Sequence, residues 1–243
     1  DPLVPLLVPE INADHLGILP EQRTVKGWPG AIVTNPNCAT VVLSMALAPL
    51  RQFSIHAVIV TTMQAVSGAG YPGVPSLDIL GNLIPFIGGG EEEKIETETL
   101  KILGRDFGRL PHRALISAQV NRVPVVDGHT MTVSVDFETE ATDEDVIEAM
   151  RVFQGRPQEL RLPTAPRPPI VVMAEPNRPQ PRLDAHLGDG MTITVGRIRE
   201  CPVMSWDTTP PQDLTKTATA LGAAGLAITQ VREALAADGL VLD

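Results

Sequence analysis

The sequence is poor in cysteine, in aromatic residues and in long hydrophobic runs. Aromatic residues make up 3% of its 243 positions, and its two cysteines are Cys38 and Cys201. Two cysteines so far apart do not indicate the disulfide framework of a small secreted domain, so we expect a reducing compartment, the cytoplasm. No hydrophobic run approaches the roughly 20 residues that cross a bilayer, and the opening Asp1-Pro2 lacks the basic segment of a signal peptide.

Positive charge is also scarce. Nineteen Lys and Arg residues stand against 29 Asp and Glu residues, which gives a formal net charge of −10. This balance disfavours general binding to nucleic acid or to anionic membranes. The 43% hydrophobic and 20% charged content is typical of a soluble globular protein. The length allows one large core or two smaller domains.

The most informative segment is 32–40, Ile-Val-Thr-Asn-Pro-Asn-Cys-Ala-Thr. Pro36 cannot donate to a strand ladder, so the β-branched residues before it are predicted to end a strand there. Asn37 is a predicted helix N-cap. Cys38 then lies in the first turn of an apolar helix, where unpaired N–H groups and the helix dipole favour a thiolate. Two interpretations follow: Cys38 is a covalent nucleophile, or it is a small buried hydrophobic side chain.

A second segment, Gly68-Ala69-Gly70-Tyr71-Pro72-Gly73, matches the G-x-G-x-x-G pattern and follows a predicted strand over 55–64. A dinucleotide-binding fingerprint must also open a helix, and Pro72 and Pro75 disfavour one here. We therefore predict a loop. On the residues alone, Gln64 is a strand-end amide that caps this loop.

A helix is predicted from Glu91 to about Leu103, with acidic residues in its first turn as the helix dipole favours. Glu91 and Lys94, at i and i+3, share one face of that helix. On the residues alone, such a charged run is equally a solvated helix face. Thr142-Asp143-Glu144-Asp145 indicates a capping box at the start of a later helix.

Alternating hydrophobic residues predict strands over 114–126 and over Met131–Phe137. Arg122 and His129 lie in the segment that joins them. On the residues alone, Arg122 could be a sheet-edge charge and His129 an exposed turn residue. His is also the side chain that exchanges protons near neutral pH, and a guanidinium suits a planar carboxylate.

Four motifs in this order resemble the aspartate-semialdehyde dehydrogenase family, in its archaeal and fungal branch. They are Asn-Pro-Asn-Cys-x-Thr at 35–40, Gln-Ala-x-Ser-Gly-x-Gly at 64–70, Gly-Glu-Glu-Glu-Lys at 90–94 and Arg-Val-Pro-Val-x-x-Gly-His at 122–129. The resemblance implies that Cys38 attacks the acyl carbon, that Gln64 orients the acyl group, and that His129 is the acid/base.

The same resemblance implies the binding residues. Arg122 pairs with the substrate α-carboxylate, Glu91 with its amino group, and Lys94 and Asn37 with phosphate. For the cofactor, NADP, the implied contacts are Ser67, Gly68 and Asp213, although the family has asparagine at the position nearest Asp213. No metal is implied.

The reaction implied is the NADPH-dependent reductive dephosphorylation of L-aspartyl 4-phosphate to L-aspartate 4-semialdehyde through a cysteine thioester. It belongs to lysine, threonine and methionine biosynthesis, and the implied assembly is a homodimer or homotetramer. One alternative is a paralogue that resembles malonyl-CoA reductase, which would not need Glu91 to hold an amino group. Another is a non-catalytic chain that acts as a binding or assembly partner.

The fold we expect is α+β and resembles the catalytic domain of glyceraldehyde-3-phosphate dehydrogenases. It has a mixed, largely antiparallel sheet with helices on one face, plus remnants of a Rossmann domain. Residues 1–36 would be the last strands of the nucleotide-binding domain, 37–212 the catalytic and dimerisation domain, and 213–243 a returning C-terminal segment with a helix over Leu214–Leu235. Nothing before Leu3 supplies a Gly-rich phosphate-binding turn. We therefore expect roughly a hundred preceding residues to be absent, and NADP binding to be weak.

Overall fold

A seven-stranded mixed sheet runs through the residues that the computed structural model describes, 1–202 and 215–222. Its strands are β1 (Ile55–Gln64), β2 (Ile84–Pro85), β3 (Leu115–Arg122), β4 (His129–Phe137), β5 (Ile170–Val172), β6 (Ile193–Glu200) and β7 (Thr215–Gly222). The spatial order is β2-β3-β1-β4-β7-β6-β5. β1 pairs in parallel with β3, as β5 does with β6, and the other pairs are antiparallel. The predicted mixed, largely antiparallel sheet is confirmed.

Helices cover one face of this sheet. The α-helices in the described residues are α1 (Pro9–Asn12), α2 (Leu19–Lys26), α3 (Cys38–Leu47), α4 (Ser76–Ile79), α5 (Glu91–Ile102), α6 (Asp143–Val152), α7 (Arg156–Glu159) and α8 (Pro181–Asp184). Helices α3, α5 and α6 pack against the strands. Along β1, Val58 and Val60 are buried, whereas Ile59 between them is 48% exposed. Because side chains alternate along a strand, this pattern places the helices on a single face.

Two helices start where their sequence signals predict. At α6, Thr142 Oγ1 accepts from Asp145 N at 3.1 Å, and Thr142 N donates to Asp145 Oδ2 at 2.9 Å, which completes the capping box. Helix α3 starts at Cys38, and eight of its ten residues are buried. A helix that is apolar on all sides is expected to be buried in this way.

The strand order brings the segments that carry the predicted site residues to one end of the sheet. β3 and β4 lie on opposite sides of β1, so they do not form a hairpin with each other. The last residue of β1, Gln64, pairs with Arg122 at the end of β3. On the other side, Met63 pairs with Thr130, next to His129 at the start of β4. The end of β1 therefore lies between Arg122 and His129.

Two secondary-structure predictions were wrong. The last strands of a nucleotide-binding domain, expected within 1–36, are reduced to one bridge, Leu6 to Thr34, because Pro5 and Pro9 remove backbone donors and Pro9 begins α1. Residues 215–222, expected to be helical, form β7 between β4 and β6. Thr alternates there at every second position, and β-branched residues favour strands when the sheet offers partners on both sides. The rest of the predicted helix, 223–235, lies outside the described residues.

Two glutamates of α5 cap backbone groups of β3. Glu96 Oε1 accepts from Ala118 N at 3.0 Å, and Glu92 Oε1 accepts from Val120 N at 3.1 Å. Ala118 and Val120 are both buried. β2 pairs with β3 only at Asn121 and Arg122, so the carboxylates satisfy donors that β2 does not reach.

Replacing Glu92 by alanine should lower the free energy of unfolding by ~1–3 kcal/mol, because it leaves the buried Val120 N–H without its acceptor. Urea denaturation followed by circular dichroism measures the change. Glu93→Ala is the matched control, since Glu93 is exposed on the next position of the same helical turn. Equal destabilisation by both substitutions would show that helix propensity, not capping of the strand, is responsible.

Candidate active site

Cys38 occupies the start of α3 because Asn37 caps that helix. The Asn37 side-chain oxygen accepts from Ala39 N at 3.0 Å and from Thr40 N at 3.2 Å, and Asn37 has a non-helical backbone (φ −55°, ψ 144°). The predicted N-cap is confirmed. Cys38 is a free, half-buried thiol in the first turn of the helix. A half-buried thiol at this position remains accessible to a small molecule, as a nucleophile must be.

The side chain of His129 contacts this thiol. His129 Nε2 lies 3.1 Å from Cys38 Sγ, although the two residues are 91 positions apart in the sequence. His129 is 6% exposed, so it is not the exposed turn histidine that was the alternative interpretation. A sulfur and an imidazole within hydrogen-bonding distance are the arrangement expected of a nucleophile and the group that assists it.

The backbone of Ala65, which directly follows β1, joins the groups around this pair. Ala65 N donates to His129 Nδ1 at 3.1 Å, and Ala65 O accepts from Arg122 Nη1 at 2.7 Å. The same carbonyl accepts from Gly68 N at 3.2 Å. Ala65 is completely buried. One peptide segment therefore fixes the imidazole, the guanidinium and the start of the following turn.

Arg122 is a buried cation beside the thiol. It is 6% exposed, and it is not the sheet-edge charge that was the alternative, because Ile84 of β2 pairs with it on the outer side. An ideal Cβ built on Gly68 would lie 3.1 Å from Arg122 Nη1 and 2.8 Å from His129 Cε1. Gly68 thus lies directly against both side chains, and a hydrogen is all that fits there.

Helix α5 contributes carboxylates to the other side of the site. Glu91 Oε2 accepts from Asn37 Nδ2 at 2.8 Å, and Glu98 Oε2 accepts from the Asn37 backbone N–H at 2.7 Å. Lys94 Nζ lies 3.6 Å from Glu91 Oε1. The start of α3, and with it Cys38, is therefore held in place by two acidic side chains of α5.

The family described as semialdehyde dehydrogenase, dimerisation domain, matches residues 47–208. The chain belongs to the semialdehyde dehydrogenase family. It is 54% identical over 203 residues to an aspartate-semialdehyde dehydrogenase of Methanothermobacter thermautotrophicus, covering 82% of this chain and 58% of that protein. For a protein of the same name from Cryptococcus neoformans, identity is 49% over 215 residues, with 84% and 59% covered. The semialdehyde dehydrogenase chain thus spans less than two thirds of the length of these archaeal and fungal relatives.

Solved structures agree with this family assignment. A crystal structure of aspartate semialdehyde dehydrogenase with NADP from Candida albicans superposes with a TM-score of 0.82 at 37% identity, covering 98% of this chain and 68% of the other. An aspartate semialdehyde dehydrogenase II from Vibrio cholerae, at 24% identity and a TM-score of 0.74, shares the fold. The α+β fold predicted from the sequence is confirmed.

The electrostatics of the semialdehyde dehydrogenase site favour the uncharged form of both partners. Burial lowers the pKa of His129 to about 4, with a further contribution from the positive charge of Arg122, while Glu91 opposes the shift. Burial also raises the pKa of the Cys38 thiol, and the negative charge of Glu91 adds to the rise. The N–H groups of Ala39 and Cys38 lower the thiol pKa, as the helix N-terminus predicts, but burial outweighs them.

The remaining predicted residues of the semialdehyde dehydrogenase chain occupy different positions around the pair. Gln64 is almost fully buried, and its amide nitrogen donates to Thr62 Oγ1 at 3.4 Å. Lys94 is 47% exposed on the outer side of Glu91. Ser67 is exposed in the short 3₁₀ turn Val66–Ala69; no α-helix opens there, so the predicted loop is confirmed. Asp213 lies outside the described residues.

Two residues of the site were not predicted from the sequence. Ala65 acts through its backbone, which gives no signal in the residue type. Glu98 could have been found, because it follows Glu91 by seven positions and therefore shares its helix face. Asn37 was predicted as a phosphate contact; its side-chain oxygen caps α3, and its amide nitrogen donates to Glu91, which leaves one of the two amide hydrogens for a phosphate.

Proposed function

We propose that this chain carries the catalytic part of an NADPH-dependent aspartate-semialdehyde dehydrogenase. The reaction is the reductive dephosphorylation of L-aspartyl 4-phosphate to L-aspartate 4-semialdehyde, in the biosynthesis of lysine, threonine and methionine. The observation that carries the proposal is the 3.1 Å approach of Cys38 Sγ to His129 Nε2 at the start of a buried helix. The names of the archaeal and fungal relatives support it.

The charges around the pair match the substrate. The buried guanidinium of Arg122 suits the planar α-carboxylate, since it presents N–H groups in a fixed fork. Glu91 offers a carboxylate for the α-ammonium group. That ammonium would offset the negative charge that raises the pKa of the Cys38 thiol, so substrate binding itself favours the thiolate. Lys94, on the same helix face as Glu91, would meet the phosphate.

The chain's own chemistry is acyl transfer. The thiolate of Cys38 attacks the acyl carbon, a C–S bond forms, and the acyl C–O bond to phosphate breaks, with the electron pair leaving on phosphate. Covalent capture divides one difficult displacement into two easier steps. Gln64, at the end of β1, would help to orient the acyl group.

The cofactor suits the turn beside this pair. The exposed turn residues Ser67 and Gly68 would hold the nicotinamide end of NADP, and Gly68 lies directly against His129. When bound, this group supplies the hydride that reduces the thioester.

The acyl-transfer half of the reaction tests the proposal, because it does not require the nucleotide. Mixing the chain with L-aspartyl 4-phosphate should release about one equivalent of phosphate per chain in a burst, and mass spectrometry should find an aspartyl adduct on the Cys38 peptide. An adduct with malonyl-CoA and none with the acyl phosphate would support the thioester-acting paralogue. Absence of any adduct would leave the chain as a non-catalytic partner and overturn the proposal.

We also propose that the chain forms a homodimer, or a homotetramer built from such dimers, through the face of the sheet that the helices leave open. On that face Ile59 pairs in register with Ser117 and Ser134, so small residues surround a half-exposed hydrophobic one. A flat face of this kind suits packing against a second sheet. The family description, which names a dimerisation domain, supports the proposal. The reduced thiol that the chemistry requires favours a cytoplasmic location.

Ile59→Glu should shift the chain from dimer to monomer, because it would bury an unpaired charge at the centre of the interface. Multi-angle light scattering after size-exclusion chromatography measures the mass. Val25→Glu is the control, since Val25 is 63% exposed on α2 and is not part of the sheet. A dimer that survives Ile59→Glu would place the interface elsewhere.

A further inference from the structure

A cavity of about 800 Å³ lies at the end of the sheet opposite the candidate active site. Ile55, the first residue of β1, lines this cavity, whereas Gln64, the last residue of β1, pairs with Arg122 at the candidate active site. Ten residues of a strand span about 30 Å, so the cavity is separate from that site. Its volume falls within the roughly 300–1,000 Å³ that is usual for small-molecule sites.

Three segments of the chain form this cavity. They lie within 51–55, which leads into β1, within 103–105, which follows α5, and within 110–113, which precedes β3. Arg105 N donates to Leu110 O at 2.8 Å, and Leu110 N donates to Arg105 O at 3.1 Å. These main-chain hydrogen bonds hold two of the three segments together, so the cavity is part of the folded structure and does not need a ligand to form.

The charged side chains around the cavity are mostly cationic. Arg51, Arg105 and Arg113 line it together with His112, and Glu138 is the one carboxylate among the described residues that line it. None of the three guanidinium groups is in an ion pair with a residue that the structure describes. A chain with a formal net charge of −10 thus collects positive charge without paired carboxylates at one cavity.

His112 responds to this positive charge. Burial lowers the pKa of His112, and the charges of Arg51 and Arg105 lower it further, whereas a backbone hydrogen bond with Ile55 and the charge of Glu138 oppose the shift. His112 Nε2 is buried and has no hydrogen-bond partner among the described residues. The field of the two arginines therefore reaches the imidazole, and an anion in the cavity would reduce that field.

We propose that this cavity is a binding site for a small polyanion, a molecule that carries two or more phosphate or carboxylate groups. A guanidinium group binds either kind of anion through two parallel N–H···O hydrogen bonds. Three such groups around one cavity therefore suit a ligand with several anionic oxygens. The proposal does not depend on the proposed function, because none of the residues that line the cavity belongs to the candidate active site.

Nuclear magnetic resonance titration of the ¹⁵N-labelled chain with inorganic tripolyphosphate, and separately with citrate, tests the proposal at constant ionic strength. We expect the amide signals of Ser54, Gly104 and Arg105 to shift and to saturate along one binding curve. The anion that binds more tightly distinguishes a phosphate ligand from a carboxylate ligand. Shifts confined to signals around Cys38, or no shift with either anion, would overturn the proposal.

Substitution of the two exposed arginines of the cavity assigns the site. Arg105→Gln combined with Arg113→Gln should raise the dissociation constant by ~10-fold or more, because each change removes a charge-assisted hydrogen bond. Arg151→Gln combined with Arg182→Gln is the matched control, since it removes two exposed positive charges from α6 and α8, outside the cavity. Equal weakening by both pairs would show general attraction of anions to the surface and would overturn the proposal. An unchanged dissociation constant in Arg105→Gln combined with Arg113→Gln would overturn it as well.

Discussion

Serine in place of Cys38 should abolish the burst of phosphate from L-aspartyl 4-phosphate. We expect the rate of the first turnover to fall by ~10⁴-fold or more, because a hydroxyl offers almost no anion near neutral pH and no other group replaces the sulfur. The start of α3 should survive, since Asn37 caps that helix through Ala39 and Thr40 and not through the sulfur. Rapid-quench measurement of phosphate gives the rate.

The matched control for this substitution is Cys201→Ser, which changes the second cysteine after the end of β6. It should leave the burst and the adduct on the Cys38 peptide unchanged. A burst of full size in Cys38→Ser would show that another residue carries the acyl group, and the proposed chemistry would then be wrong.

Gly68→Ala should lower the burst rate by about 100-fold. The new Cβ would lie 2.8 Å from His129 Cε1, 3.0 Å from His129 Nε2 and 3.1 Å from Arg122 Nη1. The ring cannot move aside easily, because Ala65 and Cys38 hold its two nitrogens and it is buried. Either the imidazole leaves the sulfur or the turn that carries Gly68 shifts, and both disturb the site.

Gly30→Ala is the control for this substitution. A Cβ at Gly30 would meet no atom within 4 Å, and neither Gly30 nor Gly68 has the positive φ at which alanine is strained. The two substitutions therefore differ in their neighbours and not in backbone strain. Burst kinetics and Cys38 alkylation should be normal in Gly30→Ala. Normal burst kinetics in Gly68→Ala would mean that the site accommodates the methyl group without loss of rate. The close contact of Gly68 with His129 and Arg122 would then not matter for the reaction.

The sequence predicts the parts of this protein that depend on local rules. The helix start at Asn37 and Cys38, the capping box at Thr142 and the alternating strand ending at Phe137 each depend on neighbouring residues. Strand β7 shows where such reasoning ends. Its small residues are compatible with a helix, and its conformation is decided by β4 and β6, which are distant in sequence.

The candidate site also has a part that the sequence indicates and a part that it does not. Cys38, His129, Arg122 and Glu91 are candidates because of the family resemblance, since on residue type alone each has an ordinary structural interpretation. The group that orients the His129 ring cannot be predicted, because it is the main chain of Ala65, and any residue other than proline supplies the same N–H. The net rise in the pKa of the Cys38 thiol could not be predicted from the sequence either, because burial depends on the whole packed structure.

The loop 123–128, which joins β3 to β4, limits how this protein can vary. It passes over the end of β1 and is held there by three main-chain hydrogen bonds. They run from Val123 N to Gln64 O, from Val66 N to Val125 O and from Ser67 N to Val126 O. The spacing between the guanidinium and the imidazole at its two ends is set by the pairing of β3 and β4 with β1, and the loop holds the turn after β1 against them. Outward side chains such as that of Val126, 71% exposed, are free to change among species. Insertion or deletion of a single residue in this loop would break these bonds and displace the turn that carries Ser67 and Gly68.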